Sequence, residues 1–597
     1  MSMGPVEYAI QAPDSDLPRL SFCDGDPKAI AGWVAELPMA NTQETARQLH
    51  KATDEVARLQ VAGNLRLECL EALRPTLLYL CLRLDRTAQG QPHLNNGPAR
   101  AAQLLQVALV DGYKSTIRDL LHERLDDKVR LGLALAIHRA ITDLSRILLR
   151  AYQYYTSLSA GTWRELHQLY VLAEGLDLHD RSFSDEDNEH TSLNIEQSYL
   201  RALLLASANP NRMRPRHLSL LFQALEAWLG KVALMPDTRD CELVVDMEAD
   251  APPCFKRLLT ASRASCRGIY TARLVQALDA WLREEDTDLE VTDDLPQTVL
   301  QQVTQCWGSM RQRSFRRLPA GGRMKVCVGL RTAHFYLSGG VEFAEQLGST
   351  RALLRRELNP FLDPASEQRQ TARPQPVSDP WAQAIDAGPM RIPENPNIED
   401  PSRVLLSRKD AKRQTDLAED YPCHDADIVD TSPAGYGLRW VGEFPAQLLS
   451  GELLAIREAD DQNWCIADCR WIRHETAHSI LGVELLAPQA IPVAVRRIEK
   501  LSTQREYSRA LLSPALEAIK QPAMLIVPLV GFAEQQKVQM RHQGQQSTAQ
   551  LLRQVRVTES YTQFTFRMLD GYLETQGDNR SMEELWNAIS GGSKPSR

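Results

Sequence analysis

Asp430, Ser432 and Gly435, spaced D-x-S-x-x-G, stand where a run of strand-forming residues ends. A carboxylate there can accept hydrogen bonds from the N1–H and N2–H edge of guanine, and the hydroxyl or its backbone N–H can bind a phosphate or base atom. Glycine permits the positive φ with which a chain turns back around a ligand. The pattern predicts a turn that presents polar groups to a ligand, and the alternative is an Asx-type turn that binds nothing.

An arginine cluster precedes this motif in the chain. Residues 311–331 contain six arginines and one lysine but no acidic residue, although the whole chain has a net charge of -9. Guanidinium groups bind phosphate oxygens and the O6/N7 edge of guanine, and they stack on bases. The candidates are Arg313 and Arg317, spaced R-x-x-x-R, with Arg316 and Arg311 as additional contacts. The alternative is a solvated basic surface.

The two motifs, in this order and within a β pattern, describe a pocket for a guanine nucleotide without a metal. They resemble the PilZ family of cyclic di-GMP receptors. The segments GELLAI, WCIADCRWIRH and LGVELL (451–486) are similar to the closing strands of that family's six-stranded antiparallel barrel. The resemblance spans about 311–490. It implies a non-catalytic receptor in which ligand binding changes how the barrel sits against its neighbouring domain, and so acts on an unidentified protein partner.

The resemblance also implies the role of each candidate residue. Arg313 and Arg317 clamp the phosphates of cyclic di-GMP and stack on guanine. Asp430 and Ser432 recognise the base edge and a nearby phosphate, and Gly435 allows the turn.

The spacing of the two motifs departs from the family, because Arg317 and Asp430 are 113 positions apart where a few tens are usual. We expect an insertion between them. Nine prolines within 359–402 exclude helix and central strand there. Arg408 and Arg413 lie nearer to Asp430 and are an alternative to the upstream pair, but they have four residues between them.

The chain is predicted to be a multidomain α+β protein. Residues 1–310 show helical periodicity without a fixed repeat, which predicts an irregular α-helical domain, either solenoid-like or bundle-like. This domain is expected to dock a protein, or alternatively to have only a packing role. Residues 311–490 form the PilZ-like barrel, with its first strand at 324–330, a Pro-rich insertion at about 334–420 and a second strand at 424–430.

Residues 491–597 are predicted to form a helix at about 493–520, a second small β-rich domain and a C-terminal helix. The net charge of -9 argues against binding to a nucleic-acid polymer. No apolar run approaches the roughly 20 residues that span a bilayer, and the N-terminus has no signal-peptide pattern. Eleven irregularly spaced cysteines suit reduced thiols, so a cytoplasmic location is expected.

Two functions of other classes compete with the receptor. One is a scaffold protein whose barrel has the PilZ shape but binds no nucleotide. The other is a zinc metallopeptidase, because HETAH (474–478) matches H-E-x-x-H, in which a helix places two histidines on one face. Strand-like runs on both sides of HETAH predict a hairpin turn instead of that helix.

Overall fold

The structure is a computed structural model of the chain. It describes residues 10–88, 97–185, 188–259, 265–308, 317–347, 420–459, 461–475, 477–498, 506–515, 522–542 and 544–570. The chain divides into two compact units, one formed by residues 1–313 and the other by most of the chain from 314 onward.

The first unit is mainly helical. Its helices bury apolar residues at a helical spacing, as Leu133, Ile137, Ile141 and Leu144 do on α5. The helices are α1 Pro27–Ala35, α2 Thr42–Arg58, α3 Gly63–Ala88, α4 Gly97–Leu121, α5 Asp127–Gln153, α6 Thr162–Gly175, α7 Ile195–Ser207, α8 Pro215–Trp228, α9 Ala272–Leu282 and α10 Gln297–Gly308. No helix in the described ranges is long and apolar enough to cross a membrane.

The first unit also contains strands, which the helical prediction for 1–310 did not include. β1 and β2 form a hairpin, and the other strands form an antiparallel sheet in the order β3-β6-β4-β5. They are short, with seven residues at most, so each is too brief to show a strand period in the sequence. The strands are β1 Ser182–Asp185, β2 Asn188–Asn194, β3 Ala233–Met235, β4 Leu243–Asp246, β5 Cys254–Phe255 and β6 Cys266–Tyr270.

The second unit begins with an antiparallel barrel of six strands, β8 to β13, which we call the first barrel. The sheet order β10-β13-β12-β11-β8-β9 is closed by pairing between β9 and β10, and the two-residue β7 pairs with the C-terminal end of β9. The strands are β7 Leu318–Pro319, β8 Arg323–Val328, β9 Cys423–Ser432, β10 Gly435–Val441, β11 Leu453–Glu458, β12 Cys465–His474 and β13 Ser479–Ala487. The PilZ-like barrel expected from the sequence is confirmed.

Two helices follow β8, namely α11 Gly329–Leu337 and α12 Phe343–Gln346. They occupy the start of the region predicted as an insertion. Residues 348–419, which include most of that region and both Arg408 and Arg413, lie outside the described residues.

A second closed antiparallel barrel completes the unit, with the order β14-β15-β16-β19-β18-β17, and we call it the second barrel. Its strands are β14 Ile491–Arg497, β15 Ser508–Ser513, β16 Met524–Pro528, β17 Lys537–His542, β18 Gln545–Val557 and β19 Tyr561–Asp570. The second β domain is confirmed. The helix predicted at about 493–520 is wrong, because β14 and β15 occupy that region, and Val493 and Val495 of β14 pack in the core of the second barrel. The predicted C-terminal helix lies outside the described residues.

Helix α11 packs between the two barrels. Ala333 of α11 is buried in one apolar cluster with Cys327 and Leu453 of the first barrel and with Leu511 and Ile526 of the second. The two barrels therefore share part of their apolar packing.

Candidate functional site

The D-x-S-x-x-G motif forms the tight turn between β9 and β10. Ser432, the last residue of β9, pairs directly with Gly435, the first of β10, so Pro433 and Ala434 alone make the turn. The Ser432 hydroxyl donates to the Gly435 carbonyl at 3.2 Å, which fastens the turn from within. Ser432 and its neighbours are partly exposed, so their polar groups remain open to a ligand.

Gly435 is required by close approach to a neighbouring strand. Its φ is +153°, and a Cβ atom at this position would lie 1.9 Å from the carbonyl oxygen of Val483 on β13. The next backbone contact, from Leu485 N to Ala434 O at 2.9 Å, holds the turn against the same strand. Any side chain at 435 would force β10 and β13 apart.

Asp430 lies on the outer face of the first barrel, two residues before Ser432. It is the register partner of Gly437, and a Cβ atom at 437 would lie 2.7 to 2.8 Å from the atoms of the Asp430 carboxylate. The carboxylate thus lies flat across the glycine. Register partners point to the same face of a sheet. The face that bears Asp430 is therefore the face that a side chain at 437 would occupy.

Arg317 is brought to Asp430 by strand β7. Leu318 and Pro319 pair with Thr431 and Asp430, and Arg317 immediately precedes them. Its Nη1 donates to Asp430 Oδ1 at 2.5 Å, and the two side chains are 30% and 31% exposed. A cation and an anion are thus held together at the end of the barrel with room for a third group.

The structure brings together four of the residues named from the sequence, Arg317, Asp430, Ser432 and Gly435. Their roles in binding a ligand stay predictions. Arg311, Arg313 and Arg316 lie outside the described residues, as does the alternative pair at 408 and 413.

Sequence reasoning missed other residues on this face. Gly437 of β10 pairs with Gly482 of β13, and Trp471 lies over Gly482. Arg439, two residues after Gly437 on the same face, is exposed, and no described residue forms an ion pair or hydrogen bond with its side chain. The signal was the pattern G-x-G within a strand, since a glycine in a strand often marks a close approach by another group.

A cluster of charged residues lies next to the turn, where the two barrels meet. Glu484 of β13 is the register partner of Gly435, and its carboxylate accepts from both Arg470 and Arg556 at 3.1 Å. Arg556 belongs to β18 and also donates to Asp468 at 2.7 Å. Asp468 is fully buried, and burial raises the pKa of its carboxyl group. The turn between β9 and β10 and the second barrel are therefore linked through Glu484.

The HETAH segment does not form the helix that a metallopeptidase needs. His474 ends β12 and Ser479 begins β13, so the segment lies at the connection of two adjacent strands, as predicted. In the described ranges, no three histidine, cysteine or acidic side chains lie close enough to hold a metal ion.

Comparisons with known proteins cover nearly the whole chain. Three domains of the cyclic-di-GMP receptor FimW match it: the N-terminal domain at residues 28–237, the middle PilZ domain at 243–492 and the C-terminal β-barrel domain at 493–569. The cyclic-di-GMP receptor FimW of Pseudomonas aeruginosa is 33% identical over 581 residues, which are 94% of this chain and 93% of that protein. No solved structure matches the chain.

Proposed function

The chain belongs to the family of the cyclic-di-GMP receptor FimW, and we propose that it is itself a receptor that binds cyclic di-GMP on the outer face of its first barrel. The observation that carries the proposal is the contact between Arg317 and Asp430, residues 113 positions apart that β7 and β9 bring within 2.5 Å. This contact places a guanidinium and a carboxylate beside one turn, where a guanine nucleotide needs both.

Each residue contributes a different interaction. Asp430 accepts from the N1–H and N2–H groups of a guanine base, which adenine does not present in that arrangement. Arg317 binds the phosphates and stacks on the base, with Arg313, Arg316 and Arg311 as further cationic candidates. Ser432 binds a phosphate or base atom at the turn that Gly435 permits.

Binding requires an exchange of partners at Asp430. Its Oδ1 already accepts from Arg317, so a guanine that uses this oxygen displaces the guanidinium group. The exchange costs little free energy, because both side chains are about one-third exposed and ion pairs of this kind contribute only about 0 to 1 kcal/mol to stability. The freed guanidinium then turns to the phosphates, which gives the side chain of Arg317 different partners in the ligand-free and ligand-bound states.

The output of binding is a change in how the two barrels pack, which a protein partner reads. Support for this finer step comes from Glu484, which pairs with Gly435 in the ligand-facing turn and accepts from Arg556 of the second barrel. A ligand that fixes the turn therefore acts on the strand that holds the second barrel.

Calorimetry of the full chain with cyclic di-GMP tests the proposal. Wild-type protein is expected to give saturable heat. Asp430→Ala and Arg317→Ala each remove a charge-assisted contact and are expected to weaken binding about tenfold or more. Asp425→Ala is the matched control, because Asp425 lies on the same strand in an exposed ion pair with Lys325 at 2.8 Å.

Asp425→Ala is expected to leave the affinity unchanged. Absence of heat with wild-type protein contradicts the proposal and favours the scaffold alternative. Equal affinities for the wild type and for both the Asp430 and Arg317 variants also contradict it.

A further inference from the structure

Two glycines form a low strip on the outer face of the first barrel. Gly437 of β10 and Gly482 of β13 are register partners on adjacent strands. Because neither residue has a side chain, side chains from other positions can lie directly on the backbone there. Neighbouring strands lie about 4.8 Å apart, which makes this strip about as wide as one aromatic ring.

One side chain lies over each glycine. The carboxylate of Asp430 covers Gly437, as described above. The indole of Trp471 covers Gly482, since a Cβ atom at 482 would lie 2.1 Å from Nε1, 2.4 Å from Cε2 and 2.8 Å from Cδ1. Because Gly437 and Gly482 are register partners, Asp430 and Trp471 lie side by side on the same face of the barrel.

The indole lies flat on the strip. Cε2 and Cδ1 are only 0.3 to 0.7 Å farther from the Cβ position than Nε1 is, so the Cβ position lies out of the ring plane, close to Nε1. If the Cβ position lay in the plane of the ring, beyond the N–H group, both carbons would be about 1 Å farther from it than the nitrogen. Trp471 is partly exposed, and no described group accepts a hydrogen bond from its indole N–H. One face of the ring is therefore against the backbone, and the ring adjoins the acidic group that reads guanine.

We propose that Trp471 is a stacking platform for a guanine base of cyclic di-GMP, with Asp430 holding the hydrogen-bonding edge of the same base. The inference rests on the proposed function, and it assigns a binding role to a residue outside both sequence motifs. Gly482 has a defined part in it, because only glycine lets the indole lie this close to the backbone.

The chemistry fits a purine. A base stacked on the indole lies parallel to the sheet, and its edge then points along the sheet toward Asp430. Removing an aromatic platform weakens binding of a stacked base by roughly 5- to 150-fold, since stacking is worth about 1 to 3 kcal/mol per base. Stacking tolerates any base, so the preference for guanine over adenine comes from Asp430.

Calorimetry with cyclic di-GMP on four variants of the full chain tests the platform. Trp471→Ala is expected to weaken binding about tenfold or more, whereas Trp471→Phe keeps an aromatic face and stays within about threefold of wild type. Gly482→Ala keeps the tryptophan but displaces its ring, so it is also expected to weaken binding. Trp464→Phe is the matched control, since Trp464 packs against Tyr336 and Arg457 away from the glycine strip.

Fluorescence gives a second readout that a structural role would not move. Guanine stacked on an indole quenches its emission, so cyclic di-GMP is expected to quench wild-type protein and the Trp464→Phe variant. Trp471→Phe removes the quenched fluorophore, and most of the ligand-induced change is expected to disappear. This readout stands even if Trp471→Ala fails to fold, which its melting curve would reveal.

The outcomes separate this inference from the proposed function. If wild-type protein does not bind cyclic di-GMP, both fail. If wild-type protein binds, the platform is overturned by unchanged affinity in folded Trp471→Ala or Gly482→Ala protein. It is overturned equally by a ligand-induced quench that persists in Trp471→Phe.

Discussion

The two barrels of the second unit share an architecture but differ in where they carry glycine. Both are closed by six antiparallel strands. The first has Gly435, Gly437 and Gly482 on two adjacent strands, β10 and β13. The strands of the second barrel, as the structure describes them, contain no glycine. A glycine within a strand lowers stability and has no side chain to pack. A cluster of strand glycines in one barrel therefore indicates a surface that another group approaches closely.

The contrast shows how one fold serves two purposes. In the first barrel, the side chains of Asp430 and Trp471 lie on the backbone of two glycines, and Asp430 forms a partly exposed ion pair with Arg317. In the second barrel, alternating residues such as Val493, Leu512 and Phe564 fill a continuous core. Arg556 and Tyr561 of the second barrel bind the buried Asp468. Under the proposed function, the ligand binds the first barrel, and the second barrel packs against the first.

The largest expected effect compares turn glycines of the two barrels. Gly435→Ala would place a methyl group 1.9 Å from a backbone oxygen at a positive φ, and we expect a loss of about 4 kcal/mol in unfolding free energy. Gly544→Ala, in a turn of the second barrel with φ +80° and no heavy atom within 4 Å, is expected to cost about 1 kcal/mol. Urea denaturation measures both, and equal losses would contradict the special role of Gly435.

The contact between the barrels gives the next effect. Arg556→Leu leaves the buried carboxylate of Asp468 with the hydroxyl of Tyr561 at 3.2 Å and with Arg470, whose Nη1 is 3.6 Å away. We expect a loss of about 3 kcal/mol near neutral pH. Burial already raises the pKa of Asp468. The variant raises it further, so its penalty should shrink as falling pH protonates that carboxyl group.

Denaturation at several pH values checks this. Adding Asp468→Asn should recover part of the loss. Arg553→Leu, on the exposed side of the same strand, is the control and should cost little. A loss at Arg556 no larger than at Arg553 would contradict the account.

The pH dependence of stability reports the packing of α11 between the barrels. His334 is buried, and its ring nitrogen contacts the carbonyl of Val493 at 3.3 Å. Burial, with smaller contributions from the charges of Arg509 and His542, lowers the pKa of His334 to about 4. The unfolded chain takes up the proton near 6.5 and the folded chain only near 4. Stability should therefore fall by about 3 kcal/mol as pH drops through this window.

Unfolding free energies of wild-type and His334→Gln protein between pH 7 and pH 4 measure that term. The variant keeps a donor for the Val493 carbonyl but does not titrate, so its stability should depend less on pH. Identical pH profiles would contradict the assignment.

The smallest expected effect lies at the hydroxyl of the turn. Ser432→Ala removes one neutral hydrogen bond to the ligand and is expected to weaken cyclic di-GMP binding about fivefold, or about 1 kcal/mol. Ser547→Ala in the second barrel is the control and should leave the affinity unchanged. Calorimetry compares the affinities of the two variants. A larger loss of affinity in Ser547→Ala would indicate that the ligand binds the second barrel.

The sequence predicted the first barrel because its strands alternate and its two motifs are specific in combination. The PilZ resemblance is confirmed by the match of the middle domain at residues 243–492. The second β domain was also predicted, but β14 and β15 were mistaken for a helix. Five to seven residues such as IPVAVRR contain too few periods to separate strand from helix.

Only those residues of the candidate site that belong to a recognisable sequence motif could be predicted. Arg317 and Asp430 stand out by residue type, and the structure adds that β7 joins them. Trp471 and Gly482 do not stand out, because their proximity depends on the pairing of strands and on the direction of one indole ring. A single sequence does not show which residues of two strands pair with each other, so such a contact can be identified only in the folded structure.

Hydrogen–deuterium exchange of the full chain with and without cyclic di-GMP shows where the ligand binds and how it affects both barrels in one experiment. We expect the ligand to protect the peptides that contain β7, the turn between β9 and β10, and β13. The core strands β15, β16 and β19 of the second barrel should stay unchanged. Protection confined to the second barrel or to the helical unit, or no protection at a saturating ligand concentration, would contradict the account.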